Sequence, residues 1–254
     1  MYYLGRLRQL VSRYSMLGRS SPAGYAVVAK PARLPQIATR LLAIAVILLS
    51  SSTNMARAET MYFSLVGFGR SIGFINLAVG QAISLQLEIN GTPFDQINGT
   101  FWAERHEEVY YAERRALDGN YRSVSIRFSD DIVQEVSIEP IEDRTDYSVP
   151  KEVAGPVLSP IEVLLLFTRL ESCGNKFTLY DGRRMVDISL EKIQNNGSSE
   201  RVCMGSYDIR RGPGHAPFPF IRSIPVTLHF PINSDLASRL DLKLLGIGVS
   251  AIRN

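Results

Sequence analysis

The sharpest polar cluster in the sequence is Asp181-Gly182-Arg183-Arg184, with Asp187 three residues further on. Two adjacent guanidinium groups could bind an anion or a polar head group through paired hydrogen bonds. The structural alternative is a type I′ turn in which Gly182 takes a positive φ and one arginine pairs with Asp187. Both interpretations place the cluster at the tip of a β-hairpin.

The chain contains two cysteines, Cys173 and Cys203. In an exported protein such a pair most simply forms one disulfide. The bridge would close a loop of 31 residues, which the chain-entropy model values at roughly 3–4 kcal/mol. Two buried free thiols are the alternative. Without neighbouring histidines, the pair lacks the ligand spacing of a zinc site.

The histidines give little support for metal binding or catalysis. On a strand, His106 would share one face with Glu104 and Glu108 and could help to hold a metal, but such a charged strand is more typical of an exposed edge. His215 lies in a Pro/Gly loop and His229 in an alternating segment, and neither accompanies a known nucleophile motif. We therefore predict no catalytic residues, cofactor or metal, with an unrecognised hydrolase as the alternative.

Two aromatic residues, Phe218 and Phe220, stand between prolines in the loop at 211–220. They could line the mouth of an apolar ligand site or contact a partner. Alternatively, both fold back and cap the open end of a sheet. Together with Arg183 and Arg184 they are the candidate contact residues for a ligand or partner.

The elements that must position these groups are mainly β-strands. Apolar residues alternate with polar ones through 121–128 and 132–139, which is half-buried strand patterning. Ser129-Asp130-Asp131, Asp118-Gly119 and Asp181-Gly182 predict hairpins. Further strand candidates are 62–66, 72–79, 82–89, 202–209, 225–230 and 240–251. About ten short strands with local connections predict a mainly β fold, a curved or half-open, barrel-like antiparallel meander.

One helix is predicted at about 160–170. Ser159 at the N-cap, Pro160 at the first helical position and Glu162 at the third form a capping box. The helix is apolar nearly all round, so we expect it to be buried against the concave face or in one open end of the sheet.

The N-terminal segment predicts export. A nine-residue apolar run at 41–49 follows Arg40 and leads to Ala56-Arg57-Ala58, which is typical of a secretory signal cleaved after Ala58. A helix that spans a bilayer needs about 20 residues, and this run is shorter. An uncleaved N-terminal anchor is the alternative. The acid-free leader also resembles a transit peptide, but its Ala-x-Ala ending favours bacterial export. We predict a removed leader at 1–58 and a single β-rich periplasmic domain at 59–254.

Removing the leader reverses the net charge. The full chain carries a formal +3, with 28 basic and 25 acidic residues. The leader holds eight of the basic residues and no acidic one, so the remaining 196 residues carry −5. A mildly acidic domain gives no electrostatic case for nucleic acid or anionic lipid. Its length is ample for one domain with a substantial core, and we expect the mature form not to span a membrane.

A series of motifs runs from Val136 to the end of the chain. It comprises Val136-Ser-Ile-Glu-Pro140, the helix start at 158–165, the hairpin at 179–188 between the two cysteines, Val202-Cys-x-Gly-x-Tyr207, and a terminal strand pair around 224–230 and 240–252. In this order the motifs resemble the exported proteobacterial proteins of domain-of-unknown-function family 3108, which usually has Asp-Pro where this chain has Ser159-Pro160. The resemblance covers about half of the predicted mature chain. It implies an envelope-associated curved sheet holding a helix, similar in outline to lipoprotein carriers, and implies no established activity.

We therefore predict a non-enzymatic exported protein that binds an apolar or amphipathic ligand, lipid or lipoprotein-like, in the concavity of its sheet. The alternative is a structural or interaction protein of the cell envelope, with a concavity filled by the helix and its neighbours. The sequence leaves the ligand, the partner and the oligomeric state open.

Overall fold

The computed structural model describes residues 58–193, 200–215, 218–244 and 246–254. Apart from Ala58, which is exposed, the predicted leader lies outside these ranges. Among the described residues, no helix has the length and apolar character needed to cross a bilayer.

In the part of the chain that the structure describes, thirteen strands form one open antiparallel sheet. They are β1 (Glu59–Gly67), β2 (Arg70–Val79), β3 (Ile83–Ile89), β4 (Gly99–His106), β5 (Val109–Ala116), β6 (Tyr121–Ser129), β7 (Ile132–Glu139), β8 (Lys176–Tyr180), β9 (Met185–Ile193), β10 (Glu200–Arg211), β11 (Ser223–Pro231), β12 (Arg239–Leu244) and β13 (Ile247–Arg253). Their spatial order is β7-β6-β5-β4-β3-β2-β1-β13-β12-β11-β10-β9-β8. The predicted half-open β meander is confirmed, with β1 and β13 paired at its centre.

The alternation in β6 has the predicted effect on burial, and that in β7 has it only in part. Val124, Ile126 and Phe128 face the core from β6. In β7 the pattern shifts: Val133 is buried and Ile132 is exposed. A register irregularity between Arg127 and Phe128 brings Phe128 opposite Val133. One irregularity is enough to exchange the two faces of a strand, because side chains alternate with a period of two.

The predicted hairpins are present, and one predicted strand is two. The β6–β7 turn has positive φ at Asp130 and Asp131, as a tight two-residue hairpin turn requires. The segment 240–251, predicted as one strand, contains most of β12 and most of β13.

The one α-helix among the described residues, α1 (Pro160–Thr168), begins where the capping box predicts and ends two residues earlier than expected. The Ser159 backbone N–H and hydroxyl both donate to Glu162 Oε2, at 2.9 and 2.7 Å. Two short 3₁₀ turns, Ile141–Asp143 and Pro150–Glu152, precede it. The helix is buried between two apolar clusters: Ile161 and Leu165 belong to the cluster built mainly on β1–β7, and other α1 side chains pack with β8–β12.

The connection between β7 and β8 lies across the gap between the two edges of the sheet. The Val157 N–H donates to Asp131 O at the β6–β7 turn, and the Leu158 N–H donates to Thr178 O of β8, both at 2.9 Å. The sheet therefore curves until its edge strands approach one another, although it does not close. The Cys173–Cys203 disulfide, with a Cα–Cα distance of 5.5 Å, joins the segment after α1 to β10 as predicted.

Candidate ligand-binding cavity

Helix α1 does not fill the concavity of the sheet. A cavity of about 610 Å³ lies between α1 and both halves of the sheet. Its apolar lining includes Leu87, Phe101, Val124, Leu164, Phe167 and Leu240. The volume falls within the range of about 300–1,000 Å³ that is typical of small-molecule sites.

Polar groups collect at one end of this cavity because of the topology. In an antiparallel meander, alternate connections meet at the same end of the sheet. The β3–β4, β5–β6, β8–β9 and β10–β11 connections all lie at this end. They bring together cavity-lining residues that are distant in sequence: Arg114, Arg122, Asp181, Arg183, Arg184 and His215.

Arg114 and Arg122 are directly opposite one another on β5 and β6. Both line the cavity. Like charges placed opposite each other on neighbouring strands destabilise a sheet. The nearby carboxylate of Asp143 offsets part of this repulsion through an ion pair with Arg122. Arg114 donates to the backbone carbonyl of Gln96 in the β3–β4 loop.

The predicted cluster at 181–184 does form a hairpin tip, but with other contacts than expected. Asp181 Oδ1 accepts from the backbone N–H groups of Arg183 and Arg184 at 3.0 Å each, and Asp181 Oδ2 lies 2.5 Å from Arg184 Nε. Gly182 has φ 91° and Arg183 is not among the residues with positive φ. The predicted type I′ turn, which needs a positive φ at both central residues, is therefore wrong. Asp187 pairs with Arg210 of β10, not with an arginine of the turn.

Arg183 joins the cationic end of the cavity from the far edge of the sheet. Its Nε donates to the backbone carbonyl of Asp143 at 2.6 Å, and its Nη2 lies 3.9 Å from Asp143 Oδ1. Burial and the charge of Arg122 lower the pKa of both Arg114 and Arg183. Burial acts to raise the pKa of Asp143, but the hydrogen bond and charge of Arg122 and the charge of Arg183 outweigh it and hold that pKa below its usual value.

His215 lies beside this group. Its Nδ1 is 3.4 Å from Arg184 Nη1, and its ring centroid is 5.3 Å from that of Tyr207. Burial and the charge of Arg184 lower the pKa of His215 to about 4. The imidazole is therefore neutral at neutral pH.

Phe218 and Phe220 do not line the cavity. Phe218 packs edge-on against Phe94 of the β3–β4 loop, with ring centroids 5.3 Å apart. Phe220 lies 6.1 Å from Phe218 and is 71% exposed. The aromatic contact therefore joins two loops, one from each half of the sheet, at the polar end of the cavity.

The histidine and carboxylate sites considered for a metal are dispersed. His106 is exposed at the end of β4, and Glu108 lies in the turn that follows. His229 pairs with Glu200 and Asp241. In the part of the chain that the structure describes, no group of three or more His, Cys, Asp or Glu residues is arranged to hold a metal ion.

Sequence reasoning did not single out Arg105, which is fully buried. Its Nε lies 3.8 Å from Glu162 Oε1 on α1, and its guanidinium carbon lies 4.1 Å from the centroid of the Phe128 ring. The alternation of β4 contained the signal: if Glu104 and His106 face outward, Arg105 faces the core. This buried pair joins α1 to β4.

No family model and no curated protein matches this chain. The resemblance to domain-of-unknown-function family 3108 therefore stays a prediction from the motifs themselves.

Proposed function

We propose that this chain is a non-enzymatic exported envelope protein that binds an apolar or amphipathic ligand, such as a lipid or the acyl chain of a lipoprotein, inside its curved sheet. The cavity of about 610 Å³ beside α1 carries this proposal. A mainly apolar lining with a few polar groups at one end is the usual composition of a small-ligand site.

The proposed location is the periplasm. The signal-like sequence at 1–58 supports export. The Cys173–Cys203 disulfide is consistent with an oxidising compartment outside the cytoplasm.

The alternatives are less well supported by the geometry of the cavity. A purely structural protein would leave no volume of this size between its helix and its sheet. A hydrolase needs a base or nucleophile that can reach its substrate, whereas the carboxylates of Asp143 and Asp181 are each engaged by an arginine.

A cavity-filling substitution tests the proposal. Ala112 is buried on β5 and lines the cavity, so Ala112→Phe places a ring inside it. Ser125→Phe adds the same ring at a half-buried position of β6 opposite Tyr111, away from the cavity lining. The protein is expressed as the full chain, purified from the periplasm, extracted with organic solvent and analysed by mass spectrometry. We expect a lipid to be recovered from wild type and from Ser125→Phe.

Ala112→Phe should lose that lipid while retaining a cooperative thermal transition. Lipid-free wild-type protein that also binds no fluorescent lipid probe would contradict the proposal. Equal lipid content in both folded variants would place the lipid outside the cavity and contradict it as well.

A further inference from the structure

We propose that the polar end of the cavity is an anion site, in which Arg114, Arg122 and Arg183 bind the carboxylate or phosphate head of an amphiphile whose hydrocarbon chain occupies the apolar part. This inference rests on the proposed function and adds the charge of the ligand.

The arrangement of charge at this end is unfavourable without an anion. Arg114 and Arg122 face each other across neighbouring strands, and Arg183 approaches the same carboxylate as Arg122. Together with Arg184, four cavity-lining arginines stand against the carboxylates of Asp143 and Asp181. An anionic head group would relieve the remaining repulsion.

Two further carboxylates lie near the arginines. The charge of Asp118 acts to raise the pKa of Arg114, but burial and the charge of Arg122 outweigh it. Glu113 lines the cavity, but its carboxylate is engaged by other groups. It accepts hydrogen bonds from Arg115 Nε at 2.6 Å and from the Tyr111 hydroxyl at 3.3 Å. Tyr111 packs against the exposed side chain of Trp102. Glu113 therefore does not neutralise the arginines inside the cavity.

The three guanidinium groups are also suitably placed to bind a ligand. The side chains of Arg122 and Arg183 are 28% and 21% exposed, so they are accessible from the mouth and only partly hydrated. Each guanidinium carries five N–H donors in a planar fork that matches a carboxylate or phosphate. The contacts with Asp143 and with the Gln96 carbonyl use a minority of these donors.

The apolar part of the cavity begins directly beside the cationic part. Val124 lies two residues after Arg122 on β6, and Ala112 lies two residues before Arg114 on β5. Both residues line the cavity. Two residues of strand span about 7 Å. A head group at the arginines therefore places the first methylene groups of its chain against Ala112 and Val124, and the rest against α1.

Displacement of a neutral apolar dye, N-phenyl-naphthylamine, from the delipidated protein tests the inference. The competitors are dodecanol, used below its solubility limit, and dodecanoate and dodecyl phosphate, each used below its critical micelle concentration. We expect the anionic amphiphiles to displace the dye at concentrations about tenfold lower than dodecanol. The more potent of the two identifies the head group as carboxylate or phosphate.

Variants on the two strands locate the effect. Arg122→Gln and Arg114→Gln should abolish most of the preference for the anion and leave dodecanol binding unchanged. Arg127→Gln, on the same strand as Arg122 with a side chain 61% exposed, is the matched control and should retain the preference. Asp143→Asn removes a carboxylate that competes for the arginines, so it should strengthen dodecanoate binding. This change in affinity is opposite in direction to that expected for the arginine variants.

The outcomes separate the two proposals. Equal displacement by dodecanol and dodecanoate would overturn the anion site and leave an apolar ligand site standing. A preference that persists unchanged in Arg122→Gln and Arg114→Gln would also overturn it. Absence of saturable dye binding in wild type would count against the proposed function itself.

Discussion

Gly182 is required both for its backbone conformation and for the space that the absence of a side chain leaves. Its φ of 91° is unfavourable for any side chain, and a Cβ added there would lie 2.6 Å from Cγ1 of Val124 on the opposite half of the sheet. The glycine thus permits the turn and also the close approach of the two sheet halves beside the cavity.

We predict that Gly182→Val lowers the free energy of unfolding by roughly 2–4 kcal/mol, because backbone strain and overpacking add. Gly119 provides the matched control: it also follows an aspartate in a hairpin and has φ 87°, but an added Cβ would meet nothing within 4 Å. Gly119→Val should therefore cost less, about 1–2 kcal/mol. Equal losses for the two variants in urea denaturation would contradict the close approach.

His215 makes the stability of the protein depend on pH. Its pKa is about 4 in the folded protein against an ordinary value of 6.5, so the unfolded chain binds the proton more readily. Its contribution to stability is fully present above pH 6.5 and is lost as the pH falls towards 4. The carboxyls of Asp143 and Asp241, whose pKa values are held below the ordinary value by neighbouring hydrogen bonds and charges, lose their contribution mainly at more acidic pH.

We predict that His215→Asn flattens the decline in unfolding free energy between pH 6.5 and 4. The decline is measured by urea denaturation at successive pH values. His106→Asn, at an exposed position, is the control that keeps the wild-type slope. A slope that is unchanged in His215→Asn would mean that the imidazole is not buried beside Arg184.

Within the 181–184 turn, sequence reasoning reached the backbone conformation of Gly182 but neither the turn type nor the side-chain partners. The Asp-Gly pair correctly indicated a hairpin and a positive φ at Gly182. Asp181 pairs with Arg184 because its carboxylate also accepts hydrogen bonds from the backbone of the turn. Gly182 lies close to Val124 because the sheet curves. The spacing of residues in the sequence predicts neither contact.

The disulfide stabilises the junction between α1 and β10. The carbonyl groups of Leu170 and Glu171, just after α1, accept hydrogen bonds from Arg201 of β10, and Cys203 is fully buried. The bridge therefore connects elements that already pack together, and its main effect is on the unfolded chain.

We predict that Cys173→Ser lowers the free energy of unfolding by about 3 kcal/mol under oxidising conditions, because the 31-residue loop is no longer closed. Guanidinium denaturation with and without reductant measures the effect. With reductant, wild type and variant should have nearly the same stability. A loss of the same size in both conditions would mean that the Cys173 side chain itself, and not the disulfide, contributes this free energy of unfolding.

At the scale of elements, period-two alternation predicted β6 and β7 almost residue by residue, and the capping box predicted the start of α1. Strand β4 was harder to recognise, because Glu104, Arg105 and His106 do not look like a strand with a buried face. The end of α1 was placed two residues too late, since the apolar character continues to Leu170 after the helical hydrogen bonds stop.

At the scale of the whole molecule, the cavity is a property of curvature. Composition and alternation predicted a half-open β fold with a buried helix, but left open whether the helix fills the sheet. The cationic end combines Arg114 and Arg122 with Arg183, about 60 residues further along the chain, and only the antiparallel topology brings them to one end. The position of Arg122 in phase with Val124 and Ile126 was the sequence signal that could have indicated an inward-facing charge.

The proposed function requires an amphiphile inside the sheet, with its chain beside α1. The decisive measurement is photocrosslinking with a fatty acid that carries a diazirine at the end of its chain, followed by mass-spectrometric mapping. We predict adducts on cavity-lining residues near the helix, such as Leu164, Phe167 and Leu240, and their loss in Ala112→Phe. Adducts confined to exposed positions such as Trp102, or no saturable labelling, would contradict the proposed function.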